Sequence, residues 1–422
     1  MRKNKVFRAL IEIKRRFIEA LKPSGMKDYD GKAFTRKRSL TLGRLMTIIL
    51  RCNPCGLQIR LDDFYAEIGC KEEVVTKQAF SRARAKLDPD IVKASFELTA
   101  KTLSECDDLE LFKGKFRLCA FDGSDIALDN ALLEDFGGSG SKKDCAMALC
   151  SLCYDPLNNI ILDGGLYPYA TSEREAAKHH FTAVEALPIQ AGAANLYIAD
   201  RGYPSKELFA DMLDSGRFFL MRVRRKFSVD FDDVKKKETV EFSHNGKNYT
   251  LRIFNITLDS GEKEILATNL PKEFLKRKEA GELYFKRWGI ETKFESLKEK
   301  LELENISGRR AVTVKQDFWA KLDLANTMAA LEFETDEIIE EKTADSGNKY
   351  AQTTNENRLI TKFADSYIDL LTKDNPAERL ALFDELAGDI AKRPAEVKPN
   401  RSTPRKPPRK KKFCDRRKRA LR

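Results

Sequence analysis

Leu118-Cys119-Ala120-Phe121-Asp122-Gly123-Ser124 and Asn195-Leu196-Tyr197-Ile198-Ala199-Asp200 decide how this chain is read. Each is a short apolar run of strand length that stops on an aspartate. Around them, Ala146–Tyr154 and Ile160–Leu166 read as two strands joined by the turn Asp155-Pro156-Leu157-Asn158-Asn159. Ser172–Leu187 then reads as a helix. Strands, helix and strand in that order suit a mixed α/β sheet. Ligand and catalytic groups gather at strand ends in such sheets, which makes Asp122 and Asp200 candidates. Taken singly, an aspartate at a strand end is more often a turn former.

Working outward, the first ~110 residues are helical in pattern. Val6, Leu10, Ile13, Phe17 and Leu21 share one helical stripe, as do Leu40, Leu45 and Ile49. Two short helices follow between Asp62 and Leu87, joined near Gly69, with Thr76 capping the second. Beyond Asp200, Ser205–Leu213 is helical and four strands are expected between Arg217 and Thr268. Among them, His244-Asn245-Gly246-Lys247 signals a type I′ hairpin. Helices resume near Lys272 and continue to Leu386. The expected units are 1–112, helical; 113–204, first part of an α/β core; 205–270, a β-rich insertion; 271–335, the second part of the core; 336–392, helical; and 393–422, a basic tail.

The chain has 422 residues, 42% hydrophobic and 34% charged, enough apolar content for a large core. From Lys392 onward, fifteen Lys or Arg stand against two acids, a local +13 in a chain whose total is +11. The remainder is therefore −2, and the basicity is an arm suited to salt-sensitive DNA contact. No apolar run reaches the ~20 residues of a membrane span. Glu12, Lys14, Arg15 and Arg16 interrupt any secretory core near the N-terminus. Nine thinly scattered Cys point to a reducing, cytoplasmic setting.

The sharpest local pattern is Tyr284-x2-Arg287-x3-Glu291-x6-Lys298. On an ideal helix, at about 100° per residue, the last three fall within roughly 60° of Tyr284. Two cations and a phenol can hold phosphate oxygens while a carboxylate holds a metal. A solvated face laced with ion pairs has the same periodicity. Together, Asp122, Asp200 and Glu291, with Tyr284, Arg287 and Lys298 around the third, resemble a DDE transposase of the insertion-sequence-four family. Asp122-Gly-Ser and Asp200-Arg-Gly-Tyr203 resemble that family's contexts, and the likeness spans roughly 35–335. It implies a ribonuclease-H-like core interrupted by a β-strand insertion, with an N-terminal helical DNA-binding domain and a C-terminal helical region. It also implies cut-and-paste transposition of double-stranded DNA, acting on terminal inverted repeats and a target, by a homodimer on paired ends. The carboxylates would hold two Mg²⁺ or Mn²⁺ ions, with Asp122 shared, a hard-donor set that fits such ions. Tyr284, Arg287 and Lys298 would clamp DNA phosphates. A nuclease without strand transfer, or a non-catalytic DNA-binding derivative, would share these features.

Weaker candidates surround this set. Lys77, Gln78, Ser81, Arg82 and Arg84 could present a DNA-reading helix of a helix-turn-helix. Trp288 could stack on a base or sit in a core. Gly289 would allow a close approach. Asp125 and Glu295 are rival acids, of which Glu295 lies one turn after Glu291. Cys52-x2-Cys55 and Cys150-x2-Cys153 resemble zinc half-sites, but positions 150 and 153 face opposite ways on a strand. His179 and His180 are adjacent and diverge on a helix. With three His in total and no Gly-x-Ser-x-Gly elbow, a Ser/His/Asp hydrolase is not expected.

Overall fold

The computed structural model describes residues 1–25, 31, 34, 38–51, 56–139, 145–224, 227, 238–257 and 263–398. Cys52, Cys55 and most of the basic tail lie outside the described residues. At the centre is one mixed sheet. Its strands are β1 (Phe116–Ala127), β2 (Gly138–Ser139), β3 (Cys145–Asp155), β4 (Ile160–Pro168), β5 (Ala194–Ala199), β6 (Phe218–Val223), β7 (Thr239–His244), β8 (Lys247–Thr257) and β9 (Lys263–Thr268). Across the sheet the order is β4-β3-β1-β5-β6-β9-β8-β7, with β2 pairing the start of β3. β1, β5 and β6 run parallel, whereas β3, β4 and β9 pair antiparallel to their neighbours.

Two features depart from the pattern in the sequence. β1 does not stop at Asp122 but continues to Ala127, because residues 122–127 pair with Met147–Leu152 of β3. The strands expected as an insertion within 205–270 extend the same sheet: β6 pairs in parallel with β5, and β9, β8 and β7 follow outward. At the β7–β8 hairpin, Asn245 and Gly246 take φ of 47° and 75°, the positive pair that a type I′ turn requires.

Strand parity sets up the site. Phe116 and Leu118 on β1, and Leu196 and Ile198 on β5, pack with Leu283 and Tyr284 of helix Arg277–Phe285 on one face of the sheet. Asp122 and Asp200 continue those two rows by the period of two. The parallel register Phe121↔Ala199 brings the ends of the rows side by side.

The other face is covered by helices. A 33-residue helix, Ala311–Thr343, runs past β4 and the helix Pro89–Ser104. The N-terminal helix Val6–Ala20 docks on it through Lys14, whose Nζ donates to Asp323 Oδ1 at 2.5 Å. Ser95 and Thr99 also donate to Asp323, so this fully buried carboxylate is well satisfied. Arg15 and Phe7 join the same N-terminal helix to the helices Glu356–Thr372 and Pro376–Ala391. The N-terminal helix thus packs against the last two described helices.

Candidate active site

Asp122 and Asp200 stand at neighbouring strand positions, and the segment after Arg277 brings four further groups to them. Tyr284 Oη donates to Asp200 Oδ1 at 3.0 Å. Arg287 Nη2 donates to Glu291 Oε1 at 2.7 Å, while its Nη1 lies 3.6 Å from Asp122 Oδ2. Arg222 of β6 flanks the other side, 3.8 Å from Asp200 and 3.1 Å from Glu264. Lys298 Nζ donates to Ser124 Oγ at 2.6 Å and to the Asp125 carbonyl at 2.7 Å. The structure therefore gathers Asp122, Asp200, Tyr284, Arg287, Glu291 and Lys298 where the parallel pairing of β1 with β5 ends.

The carrier is not the single regular helix that periodicity predicts. Arg277–Phe285 ends before Arg287, and Trp288–Glu295 begins after it. Between them Arg287 and Ile290 donate three residues back, to Tyr284 and Arg287. Ser296–Lys300 then winds as a π turn, with Leu301 N–H donating to the Ser296 carbonyl. Wider winding turns Lys298 off the line through Glu291 and onto β1. Gly289 is the close approach that its lack of a side chain suggests: an added Cβ would lie 2.9 Å from Pro156 Cβ, in the β3–β4 turn. Behind this helix, Lys293 Nζ and Tyr154 Oη donate to Asn159 Oδ1, and Asn159 in turn donates to Glu332. Burial, reinforced by Asp336, raises Glu332 to about 7.

Electrostatics mark the front of the site. Burial pushes Asp122 up to about 6, against the pull of Arg287 and the Gly123 N–H, and Glu173 and Glu291 push the same way as burial. Tyr284 is raised by burial. Burial would lower Arg287, but Tyr284, Glu291 and Asp200 together hold it above its ordinary value. Arg287 is 2% exposed, yet among the described residues its Nε and Nη1 have no hydrogen-bond acceptor. Tyr203, 1% exposed, likewise has a hydroxyl without a partner.

Glu173 is the functional candidate that sequence reading misses. It sits in the first turn of the helix Glu173–Glu185, capped by Ser172. Its Cγ lies 2.9 Å from where a Cβ on Gly123 would be, and its Oε2 lies 3.4 Å from the corresponding point on Gly202. It is raised by burial, then by Asp125 and Asp200. The available signal is a pair of glycines, each next to or near a candidate aspartate, that leave room for a third acid. Among the described residues no three His, Cys, Asp or Glu side chains already form an ion cage.

Other candidates fall elsewhere. Asp125 and Glu295 are exposed. Trp288 is 40% exposed, with the Arg287 guanidinium 5.6 Å from its ring, so it belongs to the surface and not the core. Lys77, Gln78, Ser81 and Arg82 are exposed on the helix Lys77–Arg84. Arg84 is not on that face. It is 3% exposed and donates to Asp317 Oδ1 at 2.6 Å, to Gln316 Oε1 at 2.8 Å and to the Thr313 carbonyl. A guanidinium so enclosed holds the helix to the long helix and cannot read DNA. The preceding helix, Leu57–Glu67, is separated from it by residues 68–76, a longer link than the three- or four-residue turn of a helix-turn-helix.

Cys150 and Cys153 are buried in β3. Ser151 between them meets His180 Nε2 at 2.8 Å, and His180 Nδ1 meets Asp163 Oδ2 at 2.7 Å. This is the bonding order of a hydrolase relay, but Ser151 and His180 are both 0% exposed. No substrate carbonyl can reach a serine so placed.

The sheet thus carries Asp122 and Asp200, beside a buried arginine, where its parallel β1–β5 pairing ends. The family model described as "Transposase DDE domain" matches residues 113–326, half of the chain, and the chain belongs to that family. It is thus of a class of enzymes acting on DNA. Among solved structures it is similar to the "piggyBac transposase synaptic complex with hairpin DNA", at 10% identity and a TM-score of 0.43, over 92% of this chain and 84% of that one. No curated protein matches it in sequence.

Proposed function

We propose that this chain is a transposase of the insertion-sequence-four type that excises and integrates double-stranded DNA with Asp122, Asp200 and Glu291 as its catalytic carboxylates. The observation that carries the reading is Arg287: a buried guanidinium with two nitrogens lacking acceptors, between Asp122 and Glu291. Burying such donors unmet is costly, and a phosphate oxygen would satisfy them. The order β4-β3-β1-β5-β6, with β1, β5 and β6 parallel, supports a ribonuclease-H-like core.

The donor set fits hard divalent cations. Asp122, Asp200, Glu291 and Glu173 offer only oxygens, and burial holds Asp122 above its ordinary range despite Arg287. Asp122, Asp200 and Glu291 would hold Mg²⁺ or Mn²⁺, two per site. Bound there, such ions supply Lewis-acid activation and charge stabilisation in an in-line displacement at phosphorus. The protein's own contribution is placement. Arg287 and Tyr284 orient the phosphate, Lys298 ties the third-carboxylate segment to β1, and Trp288 offers a face to an unpaired base. Pairing of two ends calls for a homodimer, acting on cytoplasmic, nucleoid-associated DNA.

The test is strand cleavage and joining in vitro on the coding element's own flanking DNA, with Mg²⁺ or Mn²⁺, for wild type and Glu291→Ala. Metal-dependent cutting at the element's ends with joined products, lost in the variant, is expected. Cutting without joining would reduce the protein to a nuclease. Binding without cutting under either ion would sink the enzymatic reading.

A further inference from the structure

A cleft of about 270 Å³ opens between the helix Lys77–Arg84 and the loop that precedes the long helix. Ser81 and Arg82 form one wall; Gly308, Arg309 and Arg310 form the other. All three arginines are exposed, and the Arg309 side chain is 78% exposed. Among the described residues, the acid paired with them is Asp129, 3.0 Å from Arg309 Nε. The walls are fixed from beneath. Arg84 bonds Asp317, and Asp317 Oδ2 also accepts from the Ser307 N–H at 2.7 Å and the Ser307 hydroxyl at 2.8 Å. A rigid cleft with three guanidiniums suits a polyanion backbone.

Its position relates it to the carboxylates. The chain from Lys298 to Arg309 runs alongside the far half of β1: Lys298 bonds at Ser124 and Asp125, Glu304 at the Ala127 N–H, and Arg309 at Asp129. Asp125 and Glu304 leave the middle of this track acidic, so the cations form two separate grips and not one continuous ridge. From Asp122 to Asp129 is a path of roughly 23 Å at about 3.3 Å per residue. That is about seven base-pair steps of duplex at ~3.4 Å each.

We propose that this cleft grips a backbone phosphate of duplex DNA about seven base pairs from the phosphate held at Asp122, Asp200 and Glu291. The distance in base pairs rests on the transposase reading; the cleft as a DNA site does not. The probe is a duplex of about 30 base pairs carrying the coding element's terminal sequence, with binding to the full chain measured across salt concentrations in EDTA. Arg82→Ala/Arg309→Ala/Arg310→Ala should lower the slope of log K against log salt by about 1, at ~0.9 for the phosphate no longer neutralised. The corresponding triple Lys variant should keep the wild-type slope. Neutral methylphosphonates placed along the duplex should weaken wild-type binding at about seven base pairs from the cut and leave the Ala variant unaffected there. If the triple Ala variant does not fold, Arg82→Glu with Arg310→Glu carries the same test. Equal slopes in wild type and variant would overturn the cleft whether or not the chain cuts. A chain that never cuts but keeps the slope difference would lose the transposase reading and retain the cleft.

Discussion

Ser151, His180 and Asp163 on one side, and Asp122, Asp200, Glu291 and Arg287 on the other, are two polar clusters built on the same sheet. The first is aligned like a hydrolase relay, and each member bonds the next at 2.7–2.8 Å while buried. The second is irregular, half open, and leaves two nitrogens of Arg287 and the Tyr203 hydroxyl without a hydrogen-bond partner among the described residues. Satisfied groups in a sealed place hold a fold together; unmet groups beside an opening await something. Bonding order alone would select the sealed cluster.

The largest effect should separate the two clusters outright. Asp122→Ala or Glu291→Ala should cost roughly 10³-fold or more in cutting, several kcal/mol of transition-state stabilisation, and leave end binding in place. Normal cutting by Glu291→Ala would remove the third carboxylate from the site. Next comes Arg84→Ala, which strands a buried Asp317 and should cost about 3–5 kcal/mol in urea unfolding. Lys77→Ala on the same helix should stay within about 0.5 kcal/mol. Comparable losses in both would return Arg84 to the exposed face.

Glu332 lies between the extremes, since it is bonded yet raised. With its folded value near 7 and an ordinary value near 4.5, the folded chain holds the proton over that interval when the unfolded chain does not. Stability should therefore fall as pH rises from about 4.5 to 7, by at most about 3 kcal/mol. Glu332→Gln should flatten that part of the profile, as read by urea unfolding at about pH 5 and about pH 7.5. A slope unchanged in the variant would assign it to other acids. His180→Ala should cost about 2 kcal/mol of stability, with cutting per folded molecule unchanged. A folded His180→Ala protein that had lost cutting would break the contrast between the clusters. Smallest, Glu173→Gln should weaken Mn²⁺ binding about 10-fold, measured calorimetrically. Unaltered affinity would make Glu173 a neighbour of the site and nothing more.

What could be read beforehand was local. Apolar runs ending in Asp122 and Asp200, the spacing of Tyr284, Arg287, Glu291 and Lys298, the Thr76 cap and the Asn245-Gly246 turn all depend on residues a few positions apart. What could not be read depends on partners far along the chain. Arg84 looks like part of an exposed basic face until Asp317, 233 residues away, encloses it. Glu173 has no strand end of its own and enters the site only because β4 delivers its helix across Gly123. The broken course of residues 284–300 is a third case: an ideal helix predicts one face, and the packing of Gly289 on Pro156 with the π turn at Ser296–Lys300 produces two.

That π turn carries a consequence for anyone editing the chain. It stores one more residue per turn than a regular helix needs, so a single deletion between Glu295 and Lys298 could be absorbed with the helix unbroken. The product would still carry every residue of the pattern, yet its lysine would stand six residues after Glu291, about 120° from it round a regular helix, and would release Ser124 and the Asp125 carbonyl. Two sequences with the same four residues can thus differ in whether the third carboxylate's segment is tied to the first carboxylate's strand, and the length of the gap between them, more than its composition, decides which is built.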